Sequence, residues 1–545
     1  MGTSRQRASD IEQDGQPEGR RRHRASGHVH SVGRGSHPAA GEDTGSSLLF
    51  LGLVLLVAFA PLLRGGYAPT ATLVLQWLGL GLLIVAAWRS RPLHLRGMEI
   101  VFLCLLFGVP LLYLLPLPAD VAQWLPGREL YLQAESLLGG EAQAVQRLSV
   151  SPLASESSWL ILIVPIAVYV ATRALSEQMQ TRLVYFFFAV VLAQVLIALF
   201  QFATSGGMSY AIVDLLARAG ASGTYVNRNH LSGMIEMALP LALALFLYDF
   251  GGRYQKSRRG GGLRERSIAV LNSTNRPSLI FLLLAVLFAI GIIVTRSRTG
   301  IMMAMLGILL TTILFSRRVG GTGTFGLMGQ FITIGVGVAI FLGLAPVLDR
   351  FSVAELEGDA RWPIAVSTFD AAGRLLPFGS GPGTFPDVFV LYQPVELGRW
   401  FINYAHNDYL QTLFEMGLLG LALVAIFLVL YLAQWARLVT SEQWSRYRSL
   451  QIGAGIAMLL LLAHSVTDNN LRNPANMAYF AMLAALFFSP PGLPKLADRL
   501  RKRPRRTVTL AEANLASRRP EGSEPRVELG DPEQAVPRPR NPFMD

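Results

Sequence analysis

Ser278–Ser316 reads SLIFLLLAVLFAIGIIVTRSRTGIMMAMLGILLTTILFS, two apolar runs joined by one polar turn, Thr295-Arg296-Ser297-Arg298-Thr299-Gly300. Coiled as a helix at about 1.5 Å per residue, each run is long enough to cross the hydrocarbon of a bilayer. The backbone groups of such a run are satisfied within the helix, as lipid requires. The stretch is therefore expected to be a pair of membrane spans with two arginines in the turn between them. Runs of the same kind recur at Leu48–Leu63, Phe331–Pro346 and Leu418–Leu432. Of the 545 residues 52% are hydrophobic and 15% charged, and no soluble core could hide this many apolar runs. The expected fold class is an all-α integral membrane protein of about twelve transmembrane helices. The spans lie near 47–64, 70–88, 98–115, 158–174, 183–203, 230–249, 278–295, 300–316, 327–347, 407–434, 449–467 and 474–490.

The net charge of +12 comes from basic residues in the polar tails and in short loops between runs, which is the positive-inside pattern and not a nucleic-acid footprint. The only lysines are Lys256, Lys495 and Lys502. With both termini in the cytoplasm all three are cytoplasmic, as are Arg89, Arg91 and Arg96 after the second span and Arg253–Arg276 after the sixth. Residues 1–47 and 491–545 are polar and unpatterned, so both tails are expected to be disordered around a membrane domain spanning 48–490. The first run is expected to be an uncleaved helix, because Pro61 directly follows Ala58-Phe59-Ala60 and spoils a cleavage site. This topology leaves two sizeable loops on the outer face. One is 116–157, where Leu130–Leu138 could form an interfacial helix. The other, 348–405 between spans nine and ten, is broken by Gly and Pro into a shaped loop with short helices. Cys104 sits alone in an apolar run and can form no internal disulfide.

Lysine is absent from this outer face, yet Arg228, Arg296, Arg298, Arg361, Arg399 and Arg472 all fall there. Any one of them could be snorkelling to headgroups or paired with an acid. Permanent charge and a planar fork also suit guanidinium to phosphate. The turn Thr295–Gly300 offers two such groups beside hydroxyls and backbone amides, which is a cradle for a diphosphate at the membrane surface. Gly223–His230 adds Arg228, Asn229 and His230, although Asn227 or Asn229 would equally well cap a helix. Ala405-His406-Asn407-Asp408-Tyr409-Leu410 opens the tenth span and Glu415-Met416-Gly417 follows. An imidazole has a reference pKa near neutrality, so a histidine at position 406 could serve as a general base on a sugar hydroxyl. Asp408 and Glu415 share a helical face as a polar stripe within the membrane, where carboxylates are candidates for function. No direct pair of His406 with Glu415 is expected. The stretch His464–Asn476 is dense in hydrogen-bonding groups, with Asp468 a partner for Arg472 or for a turn arginine. It could be a binding element or a tight polar turn. No metal-site spacing, P-loop or dinucleotide fingerprint is present, so no metal and no cofactor are expected.

The order Gly223–His230, Thr295–Gly300, Gly379-Ser380-Gly381-Pro382-Gly383-Thr384-Phe385, Ala405–Gly417 and His464–Asn476 resembles the O-antigen ligase/polymerase superfamily of bacterial membrane proteins. The resemblance covers roughly 160–490, and the His406 block is its most specific part. It implies transfer of a glycan from an undecaprenyl diphosphate carrier to a hydroxyl acceptor, metal-independent and inverting, on the periplasmic face of the inner membrane. The acceptor would be a growing polysaccharide, a lipid A core or a protein side chain. By the same resemblance Arg298 and Arg296 bind the donor diphosphate, Arg228 assists, and His406 is the base for the acceptor hydroxyl. Asn229, Asp408, Glu415, Asp468 and Arg472 would be supporting polar residues. Arg361 and Arg399 match no motif, and Thr299 departs from the glycine of many relatives. A lipid-linked glycan transporter or flippase is the alternative from another class. Its charges would gather near the midplane, whereas here they gather at one face.

Overall fold

The computed structural model describes residues 44–89, 93, 95–122, 124–129, 146–204, 221–257, 276–319, 360–440 and 444–490. Both tails, the expected span near 327–347, the Leu130–Leu138 helix and residues 348–359 of the second loop lie outside them. The described chain is all-α apart from a two-residue antiparallel pair, Pro116–Leu117 with Gln146–Arg147, that closes the base of the first loop. Its helices are α1 (Thr44–Phe59), α2 (Pro69–Trp88), α3 (Gly97–Leu112), α4 (Pro152–Leu160), α5 (Ile163–Ala174), α6 (Glu177–Thr204), α7 (Arg228–Ser257), α8 (Arg276–Thr295), α9 (Arg298–Val319), α10 (Arg361–Leu375), α11 (Asp408–Thr440), α12 (Arg446–His464) and α13 (Pro474–Phe488). Among the described residues seven helical segments are long and apolar enough to cross a membrane, with α1, α3 and α13 shorter and apolar.

The helix α7 is the axis of the bundle. Its spanning part, Arg228–Phe250, is 94% buried, against 22% for α11 at the periphery. It packs on α8, α9 and α12. Small residues allow the approach: Gly453 of α12 lies against the backbone of Leu241 and Pro240, and Gly291 of α8 faces Val195 and Ile235. Lipid gives helices no hydrophobic reason to associate, so close contact of this kind carries the packing. On the outside, Trp77, Ile84, Trp88, Val429 and Leu432 stand exposed on helices of membrane-crossing length, as residues facing lipid do. Cys104 is exposed on α3 in the same manner.

The expected boundaries shift in four places. The first helix stops at Phe59, because Leu63, Arg64, Gly65 and Gly66 all take left-handed backbone and turn the chain. The fourth span starts earlier, at Pro152, and is interrupted at Ile161–Leu162 between α4 and α5. The third ends at Leu112, just after Pro110. The tenth runs on to Thr440, although Gly417 (φ 53°, ψ −139°) interrupts its helical geometry. The second loop does hold helical pieces, α10 and the short Phe385–Phe389.

Candidate active site

The turn between α12 and α13 organises one end of the bundle. Asn473 accepts from Asn476 N at 3.0 Å and caps α13, with Pro474 in its first turn. Asp468 is buried within this turn and gathers four side chains from three other segments. It accepts from Asn229 Nδ2 of α7 at 2.5 Å and from Arg361 Nη2 of α10 at 3.2 Å. His406 Nδ1 lies 3.2 Å from its Oδ1, and His230 Nε2 lies 4.0 Å away. Burial alone would raise the Asp468 carboxyl. The hydrogen bond from His406 and the positive groups of His230 and Arg361 outweigh it and hold the carboxyl well below the usual range.

His406 precedes α11 and is itself left-handed (φ 51°), a conformation costly for a residue with a Cβ. Asn407 fixes it there by accepting from Tyr409 N and Leu410 N, both at 3.0 Å, as the cap of α11. A carboxylate on Nδ1 requires the proton on that nitrogen, which leaves the Nε2 lone pair to accept another. The side chain is 32% exposed, so a ligand can reach it. This pairing of a fixed carboxylate, an oriented imidazole and an open nitrogen is the arrangement of a general base.

The turn Thr295–Gly300 reaches the same end. Thr299 Oγ1 lies 2.9 Å from Thr467 Oγ1, one residue from Asp468, so its hydroxyl docks the turn there. Ser297 Oγ accepts from Gly300 N at 3.2 Å and starts α9, whose first residue is Arg298. The Nη1 atom of Arg298 is buried. Arg296 is left-handed (φ 54°) and lies over the Phe202 ring at 5.4 Å. Arg228 opens α7, half-buried, one residue before the Asp468 partner Asn229. Asn227 caps that helix by accepting from Asn229 N at 2.8 Å.

One expectation is corrected. Asp468 does not pair with Arg472 or with a turn arginine; its partner is Arg361, which had matched no motif. Arg472 instead joins Glu415 at 2.8 Å and Asp408 at 3.5 Å. Asp408 also accepts from Leu471 N at 2.8 Å, and Glu415 from Gln411 Nε2 at 2.9 Å. The polar stripe on α11 is thus a clasp for the α12–α13 turn. Gly379–Phe385 is a brace. Ser380 N and Gly381 N donate to the carbonyls of Phe414 and Glu415 at 3.1 and 2.7 Å. From the other side Tyr113 donates to Phe378 O and Met416 O. A Cβ at Gly379 would strike the Glu415 backbone, which is why glycine stands there.

Two aromatic residues of the site escaped the sequence. Tyr67, in the turn before α2, accepts from Asn469 Nδ2 at 3.3 Å, and its ring lies 5.8 Å from His230 and 6.1 Å from Tyr404. Burial raises both phenols, so they act as neutral hydrogen-bonding groups. Deeper between α7 and α12, His464 Nδ1 meets the buried Glu236 at 3.0 Å. Arg399 is exposed and takes no part.

Residues 283–425 match the family described as O-antigen ligase. Over this stretch the chain is similar to the O-antigen ligase family. The match takes in Arg296, Arg298, Arg361 and the His406 block, and it ends before Asp468. Asp468, Asn229 and His230 all lie outside the matched segment. No curated protein matches the chain. The family places this membrane protein in ligation or polymerisation during polysaccharide assembly.

Proposed function

We propose that the protein is a membrane glycosyltransferase that moves a glycan from an undecaprenyl diphosphate carrier to a hydroxyl acceptor. The observation that carries this reading is the His406–Asp468 pair at 3.2 Å, at the same bundle end as the Arg296–Arg298 turn. The acceptor oxygen attacks the anomeric carbon as its proton passes to His406 Nε2. The bond from that carbon to the diphosphate oxygen breaks, and the anomeric configuration inverts. Asp468 stabilises the imidazolium that forms. Arg298, Arg296 and Arg228 meet the charge that grows on the departing diphosphate, where fixed positive charge lowers the barrier most. No step in this scheme calls on a metal. A site at the end of the helices keeps the carrier's tail in lipid and the sugars in water. In this reading the chain has twelve spans in the bacterial inner membrane, both tails are cytoplasmic and the site faces the periplasm.

The acceptor class covers a growing polysaccharide, a lipid A core and a protein side chain. A deletion strain tests the proposal. Complemented with wild type, Arg298→Ala or His406→Ala, its surface and carrier-linked glycans are compared by gel and mass spectrometry. Both variants are expected to sit in the membrane, accumulate carrier-linked glycan and lose the mature product, whose identity names the acceptor. Normal mature glycan in either variant would overturn the assigned roles.

A further inference from the structure

A second feature lies at the bundle end remote from His406. From Asp408 at the site, α11 runs 33 residues to Thr440, about 50 Å at the helical rise. Arg437 therefore marks the opposite end. Arg96 lies there too, at the start of α3, since Tyr113 just past the end of α3 touches Phe378 and Met416 near the site. Between α3, α5, α11 and α13 runs a cavity of about 620 Å³. Its walls are apolar, with Leu103, Ile166, Val424, Phe427 and Phe480 among them, and Arg96 and Arg437 stand at its remote mouth.

The mouth has more positive charge than its acid can match. Glu99 is the one carboxylate lining the cavity, and it is held by Arg173 at 3.2 Å and Tyr169 at 3.0 Å. Arg96 reaches the other Glu99 oxygen only at 3.7 Å and donates to Gln434 Oε1 at 2.8 Å, which fixes its guanidinium in place. Arg437 is exposed beside it. Burial and the neighbouring Arg437 both push Arg96 down, a like-charge strain that an anion between the two would relieve. An apolar slot with two guanidiniums at its rim matches an amphiphile with a phosphate head.

We propose that this groove holds an anionic phospholipid of the leaflet remote from the site, its phosphate between Arg96 and Arg437 and an acyl chain between Phe427 and Phe480. The donor's own tail is a poorer occupant. Its diphosphate belongs at the Arg296–Arg298 end, which would leave the two arginines at the mouth unmatched.

The test is native mass spectrometry of the whole protein in neutral detergent, titrated with phosphatidylglycerol and, separately, phosphatidylcholine. Phosphatidylglycerol is expected to bind more tightly. Arg96→Gln with Arg437→Gln is expected to weaken it by about 25-fold, about fivefold for each guanidinium, without changing phosphatidylcholine. Ala433→Trp, which fills the groove from the exposed face of α11, is expected to weaken binding with both arginines intact. Equal affinity for the two lipids, an unchanged double variant, or one-for-one displacement of phosphatidylglycerol by undecaprenyl phosphate would each overturn the proposal. The readout is binding alone, so it stands or falls independently of glycosyl transfer.

Discussion

Asp468→Asn is the sharpest perturbation of the site. Asparagine keeps the shape and can still accept from Asn229 and Arg361, but it cannot fix the His406 tautomer or stabilise an imidazolium. General acid–base assistance is worth about 10²- to 10⁴-fold, and loss of an orienting carboxylate behind a catalytic histidine falls at the upper end of that range. A loss of transfer rate of at least about 100-fold is expected. The cost in stability is smaller. Arg361 and His406 are each 32% exposed, so water takes over part of what the carboxylate supplied, and about 1–3 kcal/mol is expected in place of the larger cost of a fully buried orphan charge. The assay is transfer rate under donor saturation, with thermal unfolding in the same detergent. A variant that folds and keeps more than a tenth of wild-type activity would refute the argument that Asp468 orients the base.

Four further outcomes are expected. Arg361→Ala removes a partner of Asp468 without touching His406, so turnover should fall while unfolding temperature changes little; unchanged turnover would make Arg361 a bystander. Arg472→Ala strands the carboxylates of Asp408 and Glu415, both buried, and should destabilise by about 3–5 kcal/mol in thermal unfolding, with Arg472→Lys recovering part of the loss. Gly417→Ala should lower stability by about 1–3 kcal/mol, since φ 53°, ψ −139° is open only to glycine and a Cβ would meet Pro377 O; wild-type stability would contradict that geometry. The fourth concerns pH. A carboxyl lowered on folding stabilises the protein above its unfolded value and loses that contribution only as pH falls through the folded one. Asp468 should therefore stay ionised from pH 7 to 5, and titration of its own carboxyl should add no pH dependence to stability over that window, which thermal unfolding of the wild type below pH 5 checks.

The Thr295–Gly300 turn could be read in advance because everything that defines it is local: two apolar runs and six residues between them. The same holds for the Ala405–Leu410 block that opens α11. What sequence could not reveal were partners brought in by packing. Asp468 and His406 are 62 residues apart, and Arg361 is 107 from Asp468. Which arginine meets which acid depends on how the α12–α13 turn lies on α7 and α10, so the guess of Arg472 for Asp468 was natural and wrong. Asp408 and Glu415 do share a helical face, but the periodicity that showed this said nothing of Arg472 folding back to hold them. The Gly379–Gly383 run reads from sequence only as part of a loop broken by Gly and Pro; left-handed backbone at all three glycines, pressed on the 414–418 segment, makes it a support. Tyr67 lies far upstream of every quoted motif, and only tertiary contact brings it to His230.

The central claim is that His406 is the base for glycosyl transfer, and one reconstitution tests it most directly. Purified protein, a lipid-linked glycan and a hydroxyl acceptor are incubated across pH, with acceptor–glycan product and free undecaprenyl diphosphate measured together by mass spectrometry. Wild type should release one carrier diphosphate for each glycan transferred, and His406→Ala should bind the donor yet yield neither product. Transfer by His406→Ala at the wild-type rate, or movement of intact donor across the membrane without any diphosphate released, would contradict it.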